Sequence, residues 1–152
     1  MTDEHLRRVE LARTQRGRYR ATNVRGGELT LGFGEDSDFT PVELLLVAMA
    51  GCGAIDVDFI TSKRSEPKRF DVVATGKKIR DTLGNRLADL LLDFQVEFPD
   101  DEAGHAAELV LARAVRQSHD RLCTVTRTVE VASPVAVRVR GADVKAPAPK
   151  PS

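Results

Sequence analysis

The sequence of 152 residues predicts a mixed α/β (α+β) fold in which antiparallel strands surround a long buried helix. Three observations support this prediction. Short segments within residues 5–33 alternate between apolar and polar positions, as half-buried strands do. Residues 41–60 begin with helix-start signals and continue as an apolar run. Residues 86–98 return to the two-residue rhythm of a strand, and an amphipathic helical pattern follows them.

The N-terminal part of the chain is predicted to be a three-strand antiparallel meander. The strands cover residues 5–13, 16–24 and 28–33, and turn residues separate them. Residues 34–38 form a polar loop that leads into the apolar helix.

The helix at residues 41–60 has clear signals at its start. Thr40 is a suitable N-cap, Pro41 occupies the first helical position, and Glu43 lies near the positive end of the helix dipole. The segment 44–55 has no polar face, so either a sheet and other helices or a second subunit must cover it. A membrane span is not expected, because the apolar run is short, contains two glycines and is followed by two aspartates.

A thiol lies in the middle of this helix. Cys52 is flanked by Gly51 and Gly53, and a glycine inside a helix costs about 1 kcal/mol relative to alanine. The pair of glycines therefore indicates that another part of the chain approaches the helix backbone at this point.

The C-terminal half is predicted to hold two strands, a second helix and a last strand. The two strands cover residues 70–77 and 86–98 and are joined at 81–85. The helix runs from about residue 100 to 119, and residues 134–140 form the last strand.

Residues 124–131 are rich in β-branched side chains, which favours a strand, although the pattern alone does not decide it. No linker divides the chain, so one domain is expected over residues 1–144. Residues 145–152 are proline-rich and are expected to be a disordered tail.

The composition excludes some classes of function. The chain has 23 basic and 23 acidic residues, one Tyr and no Trp, which argues against a nucleic-acid surface. The N-terminus lacks the basic start and apolar stretch of a signal peptide, so a cytoplasmic location is expected.

Cys52 and Cys123 are the only thiols, and they are either a redox pair or two small core residues. No metal or cofactor is expected, because the three histidines stand alone and no short Cys/His spacing occurs. A hydrolase that pairs Cys52 with His119 is conceivable, but no third orienting group is evident.

Two stretches together resemble the OsmC/Ohr family of osmotically inducible protein C and the organic hydroperoxide resistance proteins. They are residues 41–57, which include the sequence Ala50-Gly51-Cys52-Gly53-Ala54-Ile55-Asp56-Val57, and residues 118–125, which lead through Cys123. The resemblance covers roughly residues 5–140 and is closest to the YhfA-like branch. It implies an OsmC-like fold, an intertwined α/β homodimer with the long helices at its centre, and a short helix at 124–130.

The resemblance also implies a chemistry. Cys52 would attack the peroxide and become a sulfenic acid, Cys123 would resolve it as a disulfide, and a dithiol would reduce that disulfide. In the family, a glutamate directly after the helix-opening proline orients an arginine against the thiolate. This chain has Val42 at that position, and Glu43, one residue later, is the candidate for the same role. Arg18, between Arg16 and Arg20, is the candidate thiolate partner, although the pattern of the three arginines by itself favours a solvated strand edge.

The leading hypothesis is therefore a thiol-dependent reductase of organic hydroperoxides, with an apolar pocket around Cys52 lined by Leu45, Met49 and Phe59. A second hypothesis is a non-enzymatic dimer that binds a small hydrophobic ligand in this pocket. A third is a hydrolase or transferase that uses Cys52 as its nucleophile.

Overall fold

The computed structural model describes residues 3–145, which divide into two compact units, and the boundary between Ala48 and Met49 falls within one helix. The first unit holds a three-stranded antiparallel sheet in the order β1-β2-β3, so the predicted meander is confirmed. Its strands are β1 (Val9–Gln15), β2 (Arg18–Asn23) and β3 (Glu28–Leu31).

Helix α1 (Pro41–Thr61) begins where the sequence predicts. Thr40 and Glu43 form a capping box, in which the Glu43 amide donates to Thr40 Oγ1 and the Thr40 amide donates to Glu43 Oε2, both at 3.3 Å. These two bonds satisfy amide groups at the N-terminus of α1 that have no acceptor within the helix.

The second unit contains a long antiparallel hairpin of β4 (Arg69–Asp81) and β5 (Gly84–Glu97). A β-bulge interrupts the register, because Thr75 pairs with Leu91 whereas Lys77 pairs with Ala88. Asp89 lies in the bulge with a φ of 51°. On β5 the alternation is interrupted at Leu87 and Ala88, which are both half-buried, and it resumes from Leu90 onward.

Two helices and an intervening turn follow the hairpin: α2 (Glu102–Gln117), a π-helical turn (Ser118–Leu122) and α3 (Thr124–Val131). The composition of residues 124–131 favours a strand, and this prediction is wrong. The short helix that the family resemblance implies at 124–130 is confirmed. Cys123 has an extended backbone and caps the helix, and Thr128 Oγ1 donates to the Thr124 carbonyl at 2.7 Å. Capping and the burial of Thr126 outweigh the weak β preference of these residues.

The described residues end with a small hairpin of β6 (Val137–Val139) and β7 (Ala142–Lys145). The last predicted strand is present but shorter than expected, and β7 was not predicted. The proline-rich tail expected at 145–152 lies, from residue 146 onward, outside the described residues.

Helix α1 exposes much of its apolar surface. By length and composition it could cross a membrane, although its C-terminal half carries Asp56 and Asp58. Ile55 and Phe59, one turn apart, are 57% and 69% exposed. Ile55 and Phe59 are therefore large apolar side chains that the described residues leave exposed.

Candidate functional site

The fold brings the two cysteines together. The Sγ atoms of Cys52 and Cys123 and a carboxylate oxygen of Asp56 all lie within 4.8 Å of one another, and both thiols are free. Cys52 and Asp56 are one turn apart on α1, and Cys123 reaches them from the N-cap of α3. The two thiols are 71 positions apart in the sequence, so only the tertiary fold makes them neighbours.

Gly53 is what allows the other elements to approach this part of α1. A Cβ atom at Gly53 would lie 3.3 Å from Phe94 Cζ and 3.8 Å from Ser118 Oγ. The close approach predicted from the glycine pair is thus confirmed at Gly53. At Gly51, a Cβ atom would meet nothing within 4 Å among the described residues.

Hydrogen bonds orient each member of the cluster. Ser118 Oγ, which is buried, donates to Asp56 Oδ2 at 2.9 Å. The Thr126 amide donates to Cys123 Sγ at 3.4 Å, and the Thr126 hydroxyl lies 3.3 Å from the same sulfur. Sequence reasoning missed both Ser118 and Thr126. The cap spacing from Cys123 to Thr126 was the one signal that pointed to either of them.

The two thiols have different pKa values. Burial raises the pKa of the Cys52 thiol, and Cys123 and Asp56 raise it further, against a lowering hydrogen bond from the Val125 backbone. Burial also acts to raise the pKa of Cys123, but hydrogen bonds from the Thr126 hydroxyl and amide and from Cys52 together lower it below its usual value. Cys123 is thus the more acidic thiol, whereas Cys52 is the more exposed one.

A cavity of about 350 Å³ adjoins the cluster on the side of Cys123. This volume suits a small organic molecule. Of the three side chains expected to line a pocket around Cys52, Met49 lines this cavity, whereas Leu45 and Phe59 are 38% and 69% exposed. The apolar wall comprises Met49, Leu90, Leu91, Leu92, Phe94, Val115 and Val129.

Polar groups on the same cavity wall include Arg116, His119 and Glu130. The His119 ring nitrogens Nδ1 and Nε2 lie 2.7 Å from Asp120 Oδ1 and 2.8 Å from Glu130 Oε1. Asp120 and then Glu130 raise the pKa of His119 above its usual value of 6.5. Because carboxylates engage both nitrogens, His119 is not placed to deprotonate Cys52, and the Cys52–His119 hydrolase hypothesis gains no support.

Replacing His119 by Gln is expected to lower stability in acid more than in alkali. Because the pKa of His119 is higher in the folded chain, the stabilisation that its charged form contributes is fully present below pH 6.5, the pKa in the unfolded chain. This stabilisation is lost as the pH rises through the pKa in the folded chain. Since half of the His119 side chain is exposed, we expect a difference of no more than about 1 kcal/mol. Urea unfolding of both proteins at about pH 5.5 and about pH 9 would measure it.

The matched control for this prediction is His5→Gln, because the His5 side chain is 88% exposed. A loss at His119 that is the same at both pH values would contradict the titration argument and would indicate a packing effect alone.

Glu43 and Arg18 have local partners in the first unit. Glu43 closes the capping box with Thr40, and the Arg18 guanidinium pairs with Asp36 and Asp38. These contacts account for both side chains structurally. Their predicted part in activating Cys52 stays a prediction.

Comparisons with known proteins give the family and the fold. A family model described as OsmC-like protein matches residues 34–138. No curated protein matches the sequence. Among solved structures, a hypothetical protein from Aquifex aeolicus is similar with a TM-score of 0.67 at 24% identity, covering 84% of this chain and 89% of that chain.

Two further structures share the fold at lower identity. An OsmC-like protein of unknown function from Vibrio cholerae has a TM-score of 0.70 at 14% identity and covers 86% of this chain and 95% of its own. The organic hydroperoxide resistance protein OhrB of Bacillus subtilis has a TM-score of 0.51 at 14% identity, with 81% and 90% covered. The predicted mixed α/β fold class is therefore confirmed.

Proposed function

Because this chain belongs to the OsmC-like protein family, we propose that it is a cysteine-based reductase of organic hydroperoxides that acts in oxidative stress defence in the cytoplasm. The observation that carries the proposal is the approach of Cys52 and Cys123 Sγ atoms to within 4.8 Å. Two free thiols at this distance need only a small movement to form a disulfide.

The proposed reaction has three balanced steps. The Cys52 thiolate attacks an oxygen of ROOH, the O–O bond breaks, and the leaving alkoxide takes a proton to become ROH. The Cys123 thiol then displaces water from the Cys52 sulfenic acid and forms the disulfide. An external dithiol reduces that disulfide by two exchange steps and becomes oxidised itself.

The roles in this scheme follow the exposure of the two thiols. Cys52 is half-buried and can meet a peroxide, whereas Cys123 is 1% exposed and is placed to attack a sulfur rather than a free substrate. Arg18 and Glu43 belong to the proposal as the side chains that would lower the pKa of Cys52, a role that their local contacts leave to experiment.

Mass spectrometry would test the proposal directly. The reduced chain is treated with one equivalent of an aryl hydroperoxide, and intact and peptide masses are taken under non-reducing conditions. Loss of two hydrogens with a Cys52–Cys123 linked peptide would support the proposal. Two thiols still free after minutes would overturn it.

A second candidate function is the binding of a small hydrophobic ligand without chemistry. The apolar cavity of about 350 Å³ favours this candidate. A ligand that remains bound through purification, together with a Cys52 no more reactive than free cysteine, would support it over the reductase.

We further propose that the chain works as a homodimer whose second subunit covers α1. Ile55 and Phe59 are large apolar side chains on one face of this helix, and water contacts both in the single chain. Burying such a face is the main driving force for association of this kind.

Replacing Phe59 by Glu is expected to dissociate this dimer. A central apolar side chain commonly contributes about 2 kcal/mol or more, so the dissociation constant should rise at least roughly 30-fold. Light scattering after gel filtration over a dilution series would measure it. The control is Leu83→Glu, which changes an 82% exposed leucine at the turn between β4 and β5. A Phe59→Glu protein that remains as dimeric as the control would contradict the proposed interface.

A further inference from the structure

We infer that Cys52, Asp56 and Cys123 form a three-ligand site for a thiophilic divalent cation, with Zn²⁺ as the occupant that fits best. The sequence did not indicate this site, because the third ligand is distant from the other two along the chain. The inference does not depend on the proposed peroxide reduction. A bound metal ion would, however, prevent both thiols from taking part in that reaction.

The backbone arrangement suits a metal ion. Cys52 and Asp56 are at positions i and i+4 of α1, so one helix face presents a thiol and a carboxylate side by side. Cys123 supplies the third ligand from the N-cap of another helix. Ligands held by two separate helices define a pocket for an ion rather than a flat surface.

The distances are close to those of a tetrahedral zinc site. Zn–S bonds of about 2.3 Å and Zn–O bonds of about 2.0 Å place neighbouring ligand atoms roughly 3.5–3.8 Å apart. The three donor atoms already lie within 4.8 Å of one another. Rotation of side chains by about 1 Å would therefore complete the coordination, without rebuilding the backbone.

The charges of the cluster also favour the binding of a cation. Each of the three groups is an anion when it acts as a ligand, and like charges at this distance repel strongly. Within residues 3–145, the hydrogen-bond partner of the Asp56 carboxylate is the neutral Ser118 hydroxyl, and no ion pair to Asp56 forms. A divalent ion would compensate two of the three charges and leave a site with a net charge near −1.

Hydrogen bonds to the ligands resemble the outer shell of a metal site. Ser118 Oγ donates to Asp56 Oδ2, which fixes the orientation of the carboxylate beside the thiols. The Thr126 amide donates to Cys123 Sγ, as backbone amides do to metal-bound thiolates. Two sulfur ligands disfavour Mg²⁺ and Ca²⁺, and three protein ligands leave a fourth position for water.

Titration of the reduced full-length chain with Co²⁺ in the absence of peroxide would test the inference. We expect one ion per chain, with a thiolate-to-cobalt charge-transfer band and the intense visible bands of tetrahedral cobalt, both of which Zn²⁺ should displace. Cys52→Ser and Cys123→Ser should each reduce the charge-transfer intensity by about half or more, because each removes one of two sulfur ligands. Asp56→Asn should raise the dissociation constant at least about tenfold.

Asp58→Asn is the matched control, since it makes the same change two residues along the same helix and outside the cluster. Zinc should also protect the half-buried Cys52 thiol of the wild-type chain from alkylation, and a chelator should restore its reactivity. This readout does not require the serine variants to fold. The inference is overturned if cobalt shows no charge-transfer band, if Asp58→Asn weakens binding as much as Asp56→Asn, or if zinc leaves alkylation unchanged. None of these results bears on peroxide reduction, which is measured on the metal-free chain.

Discussion

Replacing Cys52 by Ser is expected to lower peroxide turnover at least roughly a thousandfold, because Cys52 is the attacking thiol in the proposed steps and the remaining thiol, Cys123, is only 1% exposed. The hydroxyl of serine is too weak a nucleophile to open an O–O bond at neutral pH. Serine is close to cysteine in size, so the helix should persist, and its position beside Gly53 leaves the contact with Phe94 intact. The measurement is the rate of aryl hydroperoxide loss with a dithiol in excess.

The melting temperature of Cys52→Ser should be recorded with the activity, so that unfolding is not mistaken for lost chemistry. One result would contradict the assignment in an informative way. If Cys52→Ser still consumes one equivalent of peroxide and accumulates an oxidised Cys123, the first attack belongs to Cys123, whose pKa is the lower of the two.

Replacing Cys123 by Ser is expected to stop the reaction after one equivalent of peroxide. Cys52 should still attack, and the sulfenic acid should persist because its resolving partner is gone. Steady-state turnover should fall at least roughly 100-fold, since a neighbouring thiol has an effective molarity far above that of any reductant in solution. Intact mass should show the gain of one oxygen atom, and a sulfenic-acid reagent should label a peptide that contains residue 52.

Folding is a smaller concern for this variant. Serine is a strong N-cap residue, so its hydroxyl can accept the hydrogen bond of the Thr126 amide in place of the sulfur. The cap of α3 is therefore preserved. A Cys123→Ser protein with unchanged turnover would show that Cys123 does not resolve the Cys52 sulfenic acid. Each chain of this variant keeps one thiol, so a disulfide between two chains would indicate that Cys52 of a second chain displaces water from the sulfenic acid.

Local signals in the sequence determined most of the secondary structure. Thr40, Pro41 and Glu43 mark the start of α1 because capping and dipole effects act within one turn. The two-residue rhythm of β5 predicted a strand because it reflects one buried face. The failure at 124–131 has a local cause as well, since β-branched content is a weak preference that one cap and one buried threonine can reverse.

The candidate site was predicted only in part. The sequence by itself determined that two thiols stand in contexts resembling one family and that something packs against Gly53, because these are properties of short stretches. The tertiary structure alone decided that Cys123 converges on Cys52 and Asp56, that Ser118 and Thr126 orient the cluster, and that the cavity lies on the side of Cys123. Contacts between residues far apart in the chain depend on how helices and strands pack. No local pattern of side chains specifies which distant residues come together.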